Sequence, residues 1–269
     1  MSKKPVGHKA RKRFGQNFLQ DQSVIQRIMG AIHAKPDDAL VEIGPGLGAL
    51  TEELLSSAGH LDAIELDRDL VPILRTKFFR YGDQFRIHEA DAMKFDYTQL
   101  CQDSKRLRIV GNLPYNISTQ LIFHLLNHHQ YIADMHFMLQ KEVVERLAAG
   151  PGEKNYGRLS IMAQYYCQVD NLFIVPPEAF DPVPKVDSAI VRLRPFEKLP
   201  YEAESVEQLQ QVVRTAFNQR RKTLRNNLKE LISAESLETL DINPSERPER
   251  LTLQAFIRIS DHITQAKKD

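Results

Sequence analysis

The stretch ALVEIGPGLGALTEELL (residues 39–55) runs from a short β-type segment through glycines at 44, 46 and 48 into an amphipathic helical period. Glycines at such a place let the backbone bend sharply and let a ligand approach main-chain N–H groups near a helix start. Strand, glycine turn and helix form one unit, and the alternation continues downstream. HLDAIEL precedes a helix from about Arg68, QFRIHEA follows, RLRIVGN precedes ISTQLIFHLLNHH, and ADMHFML leads into helical QKEVVERLAA and GRLSIMAQYYC. This pattern predicts an α/β fold, a mostly parallel sheet of about seven strands wrapped by helices. The last two strand-like runs, VDNLFIV (169–175) and SAIVRLR (188–194), are joined by a Pro-rich loop. That loop is too short for a helical crossover, so the two are expected to pair antiparallel at one edge.

After RPFEKLPYEAES (194–205) the β-rich runs stop and the chain reads as short helices, so the domain boundary is set between 195 and 196. Residues 1–195 then form the sheet domain and 196–269 a small helical one. Before the sheet, Asp21 is placed to cap a helix with Val24, Ile25, Ile28, Met29 and Ile32 on one face.

At 269 residues and 42% hydrophobic, the chain can bury a sizeable core. No apolar run reaches the roughly 18 residues of a membrane span, and the basic amino terminus lacks the apolar block of a secretory signal. A cytoplasmic protein with no membrane partner is expected. The only two cysteines, Cys101 and Cys167, form neither a CxxC pair nor part of a histidine cluster, so no disulfide framework or metal site is expected. Net charge is only +1, yet MSKKPVGHKARKR (1–13) holds six Lys or Arg and FNQRRKTLRNNLK (217–229) holds five, with no acid in either. Two such segments on a near-neutral chain favour a polyanion partner.

Two acids close strands. Glu65, ending the second, is placed to accept from both hydroxyls of a ribose, and Asp91, after the third, from the amino group of an adenine. Together with the glycine turn they describe a nucleoside-bearing cofactor across the carboxyl ends of the strands. The spacing is GxGxG, whereas the pyrophosphate of a nicotinamide dinucleotide, the runner-up ligand, wants GxGxxG. The pattern resembles the class I S-adenosylmethionine-dependent methyltransferases, which have a Rossmann-like sheet.

Asn112-Leu113-Pro114-Tyr115 falls where the fourth strand ends, facing the same crevice. The exocyclic nitrogen of adenine is planar and a poor nucleophile, because its lone pair is delocalised into the ring. Acceptors aimed at its two hydrogens return electron density to nitrogen. Asn112 can supply a side-chain carbonyl and Leu113 its backbone carbonyl. Pro114 restricts Leu113 to extended conformations, and Tyr115 can stack on the base. These four are the candidate catalytic residues, and their division of labour needs no metal. The competing reading makes them turn chemistry and packing.

Nine blocks in order along nearly the whole chain carry a closer resemblance: RKRFGQNFL (11–19), EIGPGLGALT (42–51), IELD (64–67), DA (91–92), GNLPYNIS (111–118), MLQKEV (138–143), YGRLS (156–160), FDPVPKVDSA (180–189) and FNQRRKTLRNNL (217–228). The chain resembles the adenine N6,N6-dimethyltransferases of small-subunit ribosomal RNA. That resemblance implies transfer of methyl groups from S-adenosylmethionine to N6 of two adjacent adenosines in a hairpin loop near the 3′ end of 16S rRNA. The step would come late in subunit assembly, on a pre-ribosomal particle, with S-adenosylhomocysteine as the by-product and a monomeric enzyme. It implies Asn17, Leu19, Gly44, Gly46, Glu65, Asp91 and Asn112 around the cofactor, with residues 1–20 as a basic arm and cofactor loop. Tyr115 and Phe180 would take the two faces of the target base. Arg11, Lys12, Arg13, Arg220, Arg221, Lys222 and Arg225 would meet RNA phosphates. Alternatives are an assembly factor with a vestigial site, a large-subunit RNA methylase of the antibiotic-resistance type, and a DNA adenine methylase.

Overall fold

The structure, a computed structural model, describes residues 17–101, 105–219 and 221–268. Arg11, Lys12, Arg13 and Arg220 lie outside the described residues. The chain divides into two compact units, one running to Val144 and resuming over Asp170–Pro195, the other made of Glu145–Val169 and Phe196–Asp269.

The first unit opens with β1 (Phe18–Leu19) and α1 (Gln22–Ile32), then β2 (Leu40–Ile43), α2 (Thr51–Ala58), β3 (Leu61–Glu65), α3 (Leu70–Lys77) and β4 (Phe85–Glu89). It continues through β5 (Leu107–Asn112), α4 (Ser118–Leu126), β6 (Ile132–Gln140) and the start of α5 (Lys141–Ala148). After α6 (Arg158–Tyr166), the chain returns along β7 (Cys167–Val175), β8 (Phe180–Asp181) and β9 (Ser188–Pro195). The seven-stranded sheet has the order β4-β3-β2-β5-β6-β9-β7. Neighbours from β4 to β6 are parallel, and β9 runs antiparallel to β6. The chain winds one way from β2 to β4 and the other way from β5 to β6. That reversal opens a crevice at the carboxyl ends of β2 and β5, the place where such sheets bind ligands. Both strands expected at the edge, β7 and β9, are neighbours there.

Local chemistry accounts for most boundaries. All four residues of β2 and all five of β3 are buried, as expected of parallel strands covered on both faces. The Asp21 carboxylate accepts from the N–H groups of Ser23 at 2.8 Å and Val24 at 3.2 Å, which caps α1. Ile25, Ile28 and Ile32 of that helix enter the core, with Val24 and Met29 packed beside them. The helix after the glycine turn begins only at Thr51, because residues 47–50 are still turning. One element had no counterpart in the sequence pattern: β1 and β8 form a two-stranded antiparallel ladder pairing Leu19 with Phe180.

This grouping differs from the expected continuous segments 1–195 and 196–269, since 145–169 packs with the carboxyl-terminal helices. The reason is burial. In α6, Leu159, Ile161, Met162, Ala163 and Tyr165 are all buried. The Tyr156 hydroxyl, just before that helix, donates to Leu251 O at 2.9 Å, and its ring meets Phe217 edge-on. The remaining helices are α7 (Val206–Ala216), α8 (Leu224–Leu228), α9 (Ala234–Thr239) and α10 (Leu253–Ala266). Asn227 Nδ2 donates to Ala216 O at 2.7 Å and Gln219 O at 3.2 Å, closing the turn between α7 and α8. Arg221, Lys222 and Arg225 are exposed on that turn and the helix after it.

Candidate active site

A cavity of about 590 Å³ opens at the carboxyl ends of the parallel strands and is lined by Asn17, Leu19, Gly44, Gly46, Glu65, Asp91 and residues 112–115. The glycine turn is held from behind by two aromatic rings. A side-chain carbon on Gly46 would come within 3.2 Å of the Phe18 ring, and one on Gly48 within 2.5 Å of the Phe78 ring. Both glycines have positive φ, +60° and +79°, which strains any larger residue, and at Gly48 the Phe78 ring leaves no room for one.

Glu65 is buried at the end of β3, where an oxygen accepts from Asp67 N at 2.8 Å. Burial pushes its carboxyl above the usual range, and backbone N–H groups of Asp67 and Gly46 oppose that rise. Asp91 accepts from Met93 N at 2.9 Å. Each carboxylate retains acceptor capacity beyond these bonds. The cavity also holds a residue that the sequence reading passed over. Glu42 is 3% exposed and accepts from Thr51 Oγ1 at 2.6 Å. Burial, reinforced by the nearby Glu65, raises its pKa to about 7, with Lys77 opposing. The signal was present as a lone acid inside the apolar run LVEI. This donor set fits a nucleoside with a cationic tail: carboxylates for ribose hydroxyls and amino groups, and apolar Ile64, Leu66 and Leu70 along the wall.

On the other side of the crevice, Asn112 ends β5 opposite Met138 of β6. Its Nδ2 donates to Asn17 O at 3.0 Å. With the amino side of the amide committed to the chain, Oδ1 is left as its acceptor. Leu113 is buried and donates its N–H to Met138 O at 3.2 Å. Pro114 O accepts from Ile117 N at 3.2 Å and Ser118 N at 3.1 Å, turning the chain into α4. Tyr115 is half-buried with its hydroxyl 2.8 Å from Ser188 Oγ. Burial raises its phenol pKa, which keeps the hydroxyl neutral. Phe180 is brought to this region by pairing with Leu19, but its ring lies in the apolar core at 3% exposure and does not line the cavity.

Among the described residues, no group of three or more His, Cys, Asp or Glu is placed to hold a metal ion, and no helix is long and apolar enough to cross a membrane. Strand order, the glycine turn and the acids at the ends of successive strands define a class I S-adenosylmethionine-dependent methyltransferase fold. The model of the ribosomal RNA adenine dimethylase family matches residues 7–265, and the chain belongs to that family. It is 63% identical over 258 residues to the ribosomal RNA small subunit methyltransferase A of Hahella chejuensis, covering 96% of this chain and 94% of that one. The protein of the same description from Pseudomonas aeruginosa is 59% identical over 258 residues, covering 96% of each. A solved dimethyladenosine transferase from Plasmodium falciparum superposes with a TM-score of 0.80 at 27% identity, covering 93% of this chain and 98% of that one.

Proposed function

We infer that this protein dimethylates N6 of two adjacent adenosines in a hairpin loop near the 3′ end of 16S rRNA. It acts as a monomer in the cytoplasm, late in small-subunit assembly. The family membership and the descriptions of the relatives support this reading. The observation that carries the chemistry is the amide of Asn112, held by Asn17 O so that its carbonyl is the group left for an amino substrate.

S-adenosylmethionine supplies a methyl group on a cationic sulfur and leaves as S-adenosylhomocysteine. The chain holds it with Glu65 on the ribose, Asp91 on the adenine, and Asn17, Leu19, Gly44 and Gly46 around the remainder. Asn112 Oδ1 and the Leu113 carbonyl accept the hydrogens of the target amino group, Pro114 holds Leu113 extended, and Tyr115 stacks on the base. Phe180, brought beside Leu19 by the β1·β8 ladder, is assigned the opposite face of the base. Alkylation makes the nitrogen cationic and acidic, so its proton can pass to water without a strong base. Most of the acceleration then comes from positioning. After the first transfer only one N–H remains, and the pocket must accommodate a methyl in place of the other.

Bases of a hairpin loop are already partly unstacked, which lowers the cost of presenting one to the pocket. Arg221, Lys222 and Arg225, together with Arg220 and Arg11–Arg13, hold phosphates and position the RNA without reading its sequence. The test is incubation with labelled S-adenosylmethionine and unmethylated small subunits, followed by digestion to nucleosides. N6,N6-dimethyladenosine is the expected product. Its absence while the cofactor binds, or its appearance only with large subunits, overturns the reading.

A further inference from the structure

In the acceptor turn, the side chain of Tyr115 is tied to a distant strand of the sheet. It sits after β5 and before α4, where the backbone bonds that follow Leu113 are local: Pro114 O accepts from Ile117 and Ser118, and Tyr115 O accepts from Ser118 Oγ at 3.3 Å. None of these fixes the far end of the ring. Ser188 is anchored quite differently. It begins β9 opposite Gln140 of β6, is 0% exposed, and is preceded by Asp187, whose carbonyl accepts from Lys141 N at 3.0 Å. The 2.8 Å bond between the two hydroxyls therefore ties a ring on a turn to a residue set by the sheet ladder.

We propose that Ser188 is a positioning residue for methyl transfer, acting through the Tyr115 hydroxyl to fix the plane and height of the ring on which the target base rests. This rests on the reading that Tyr115 stacks on that base. Stacking is strong across the rings but weak in resisting sliding within the plane, so a ring free to move carries the base with it. Transfer to nitrogen demands alignment with the methyl–sulfur bond, and a displacement of about 1 Å at such a centre costs on the order of 100-fold. A clamp anchored in the sheet also keeps the ring in the same place for an unmodified and a singly methylated base. The half-buried phenol, its pKa raised by burial, meets the buried Ser188 hydroxyl as an uncharged pair.

The test is a double-mutant cycle on methyl transfer to unmethylated small subunits. Ser188→Ala and Tyr115→Phe remove the same bond from opposite sides, and the second leaves the stacking ring whole. Each is expected to lower kcat about tenfold, the loss for a displacement of a fraction of an ångström, with KM for the subunit and cofactor affinity within about twofold. The pair together should lose no more than either alone, since there is only one bond to remove. Unchanged kcat in both single variants, or losses that multiply, overturns the proposal. So does a loss in Ser188→Ala that comes with lost cofactor binding, which would mark damage to the strand. Tyr115→Ala separates this from the underlying reading: undiminished transfer there removes the stacking role itself, whereas collapse there with active Ser188→Ala and Tyr115→Phe removes only the clamp.

Discussion

Strand β5 has two polar ends treated in opposite ways. At its beginning, Arg108 binds Asp38 at 2.6 Å and Asp134 at 3.0 Å, and donates to Ile32 O at 2.6 Å, stapling the end of α1 to the sheet. Its side chain is 16% exposed, and acids and cation answer each other within the chain. At its other end, Asn112 spends one side of its amide on Asn17 O, and the neighbouring acids Glu42, Glu65 and Asp91 have no ion pair among the described residues. They are met by backbone N–H groups and by Thr51. One end of the sheet is closed electrostatically and stabilises the fold, while the other keeps acceptor capacity for something that is not part of the chain.

Substitutions at the two ends should separate activity from stability. Asn112→Ala is expected to cut methyl transfer by about 100- to 1000-fold, the range for removing one aligned group at a reacting centre. RNA binding and the thermal midpoint should stay close to wild type, and transfer near the wild-type rate would remove the acceptor role. Glu42 gives a pH test without cofactor. Its carboxyl titrates near 4.5 when free and near 7 when folded. The folded state therefore holds the proton longer, and stability is lost as pH rises from 4.5 through 7. That loss is worth roughly 3 kcal/mol by linkage. Urea unfolding at about pH 5 and about pH 8 should show a fall in the wild type that is smaller in Glu42→Gln. An equal fall in both would place the titration elsewhere.

Arg108→Met should do the reverse of Asn112→Ala, lowering unfolding free energy by about 2–3 kcal/mol because two part-buried acids lose their partner. Transfer measured well below the midpoint should persist, and a stability change under about 0.5 kcal/mol would show the network to be ornamental. The smallest effect is expected in the turn between α7 and α8. Replacing Arg221, Lys222 and Arg225 by Ala should weaken subunit binding about tenfold at low salt and reduce the salt slope by about 2–3. Cofactor affinity should not move, and an unchanged slope would take these residues off the RNA.

Much of this was legible along the chain. The glycine turn, the acids at Glu65 and Asp91 and the Asn112–Tyr115 turn are local signals, because alternation within a strand and turn chemistry after it place those residues at one edge of a sheet. Glu42 was legible in principle, but a single acid in an apolar strand reads equally as a buried structural group. Phe180 shows the opposite difficulty, since its motif marks it for the base while the β1·β8 ladder holds its ring in the core.

By itself, the sequence determined the class of fold and the placing of the glycine turn, the strand-ending acids and Asn112–Tyr115 at the carboxyl ends of the strands, since each depends on residues a few positions apart. Only the tertiary structure decided that Asn17 O orients the Asn112 amide, that Ser188 holds the Tyr115 hydroxyl, and that 145–169 packs with the carboxyl-terminal helices. Those contacts join segments far apart in the chain, where no periodicity links one partner to the other, and they exist only once the sheet has set the distance between them.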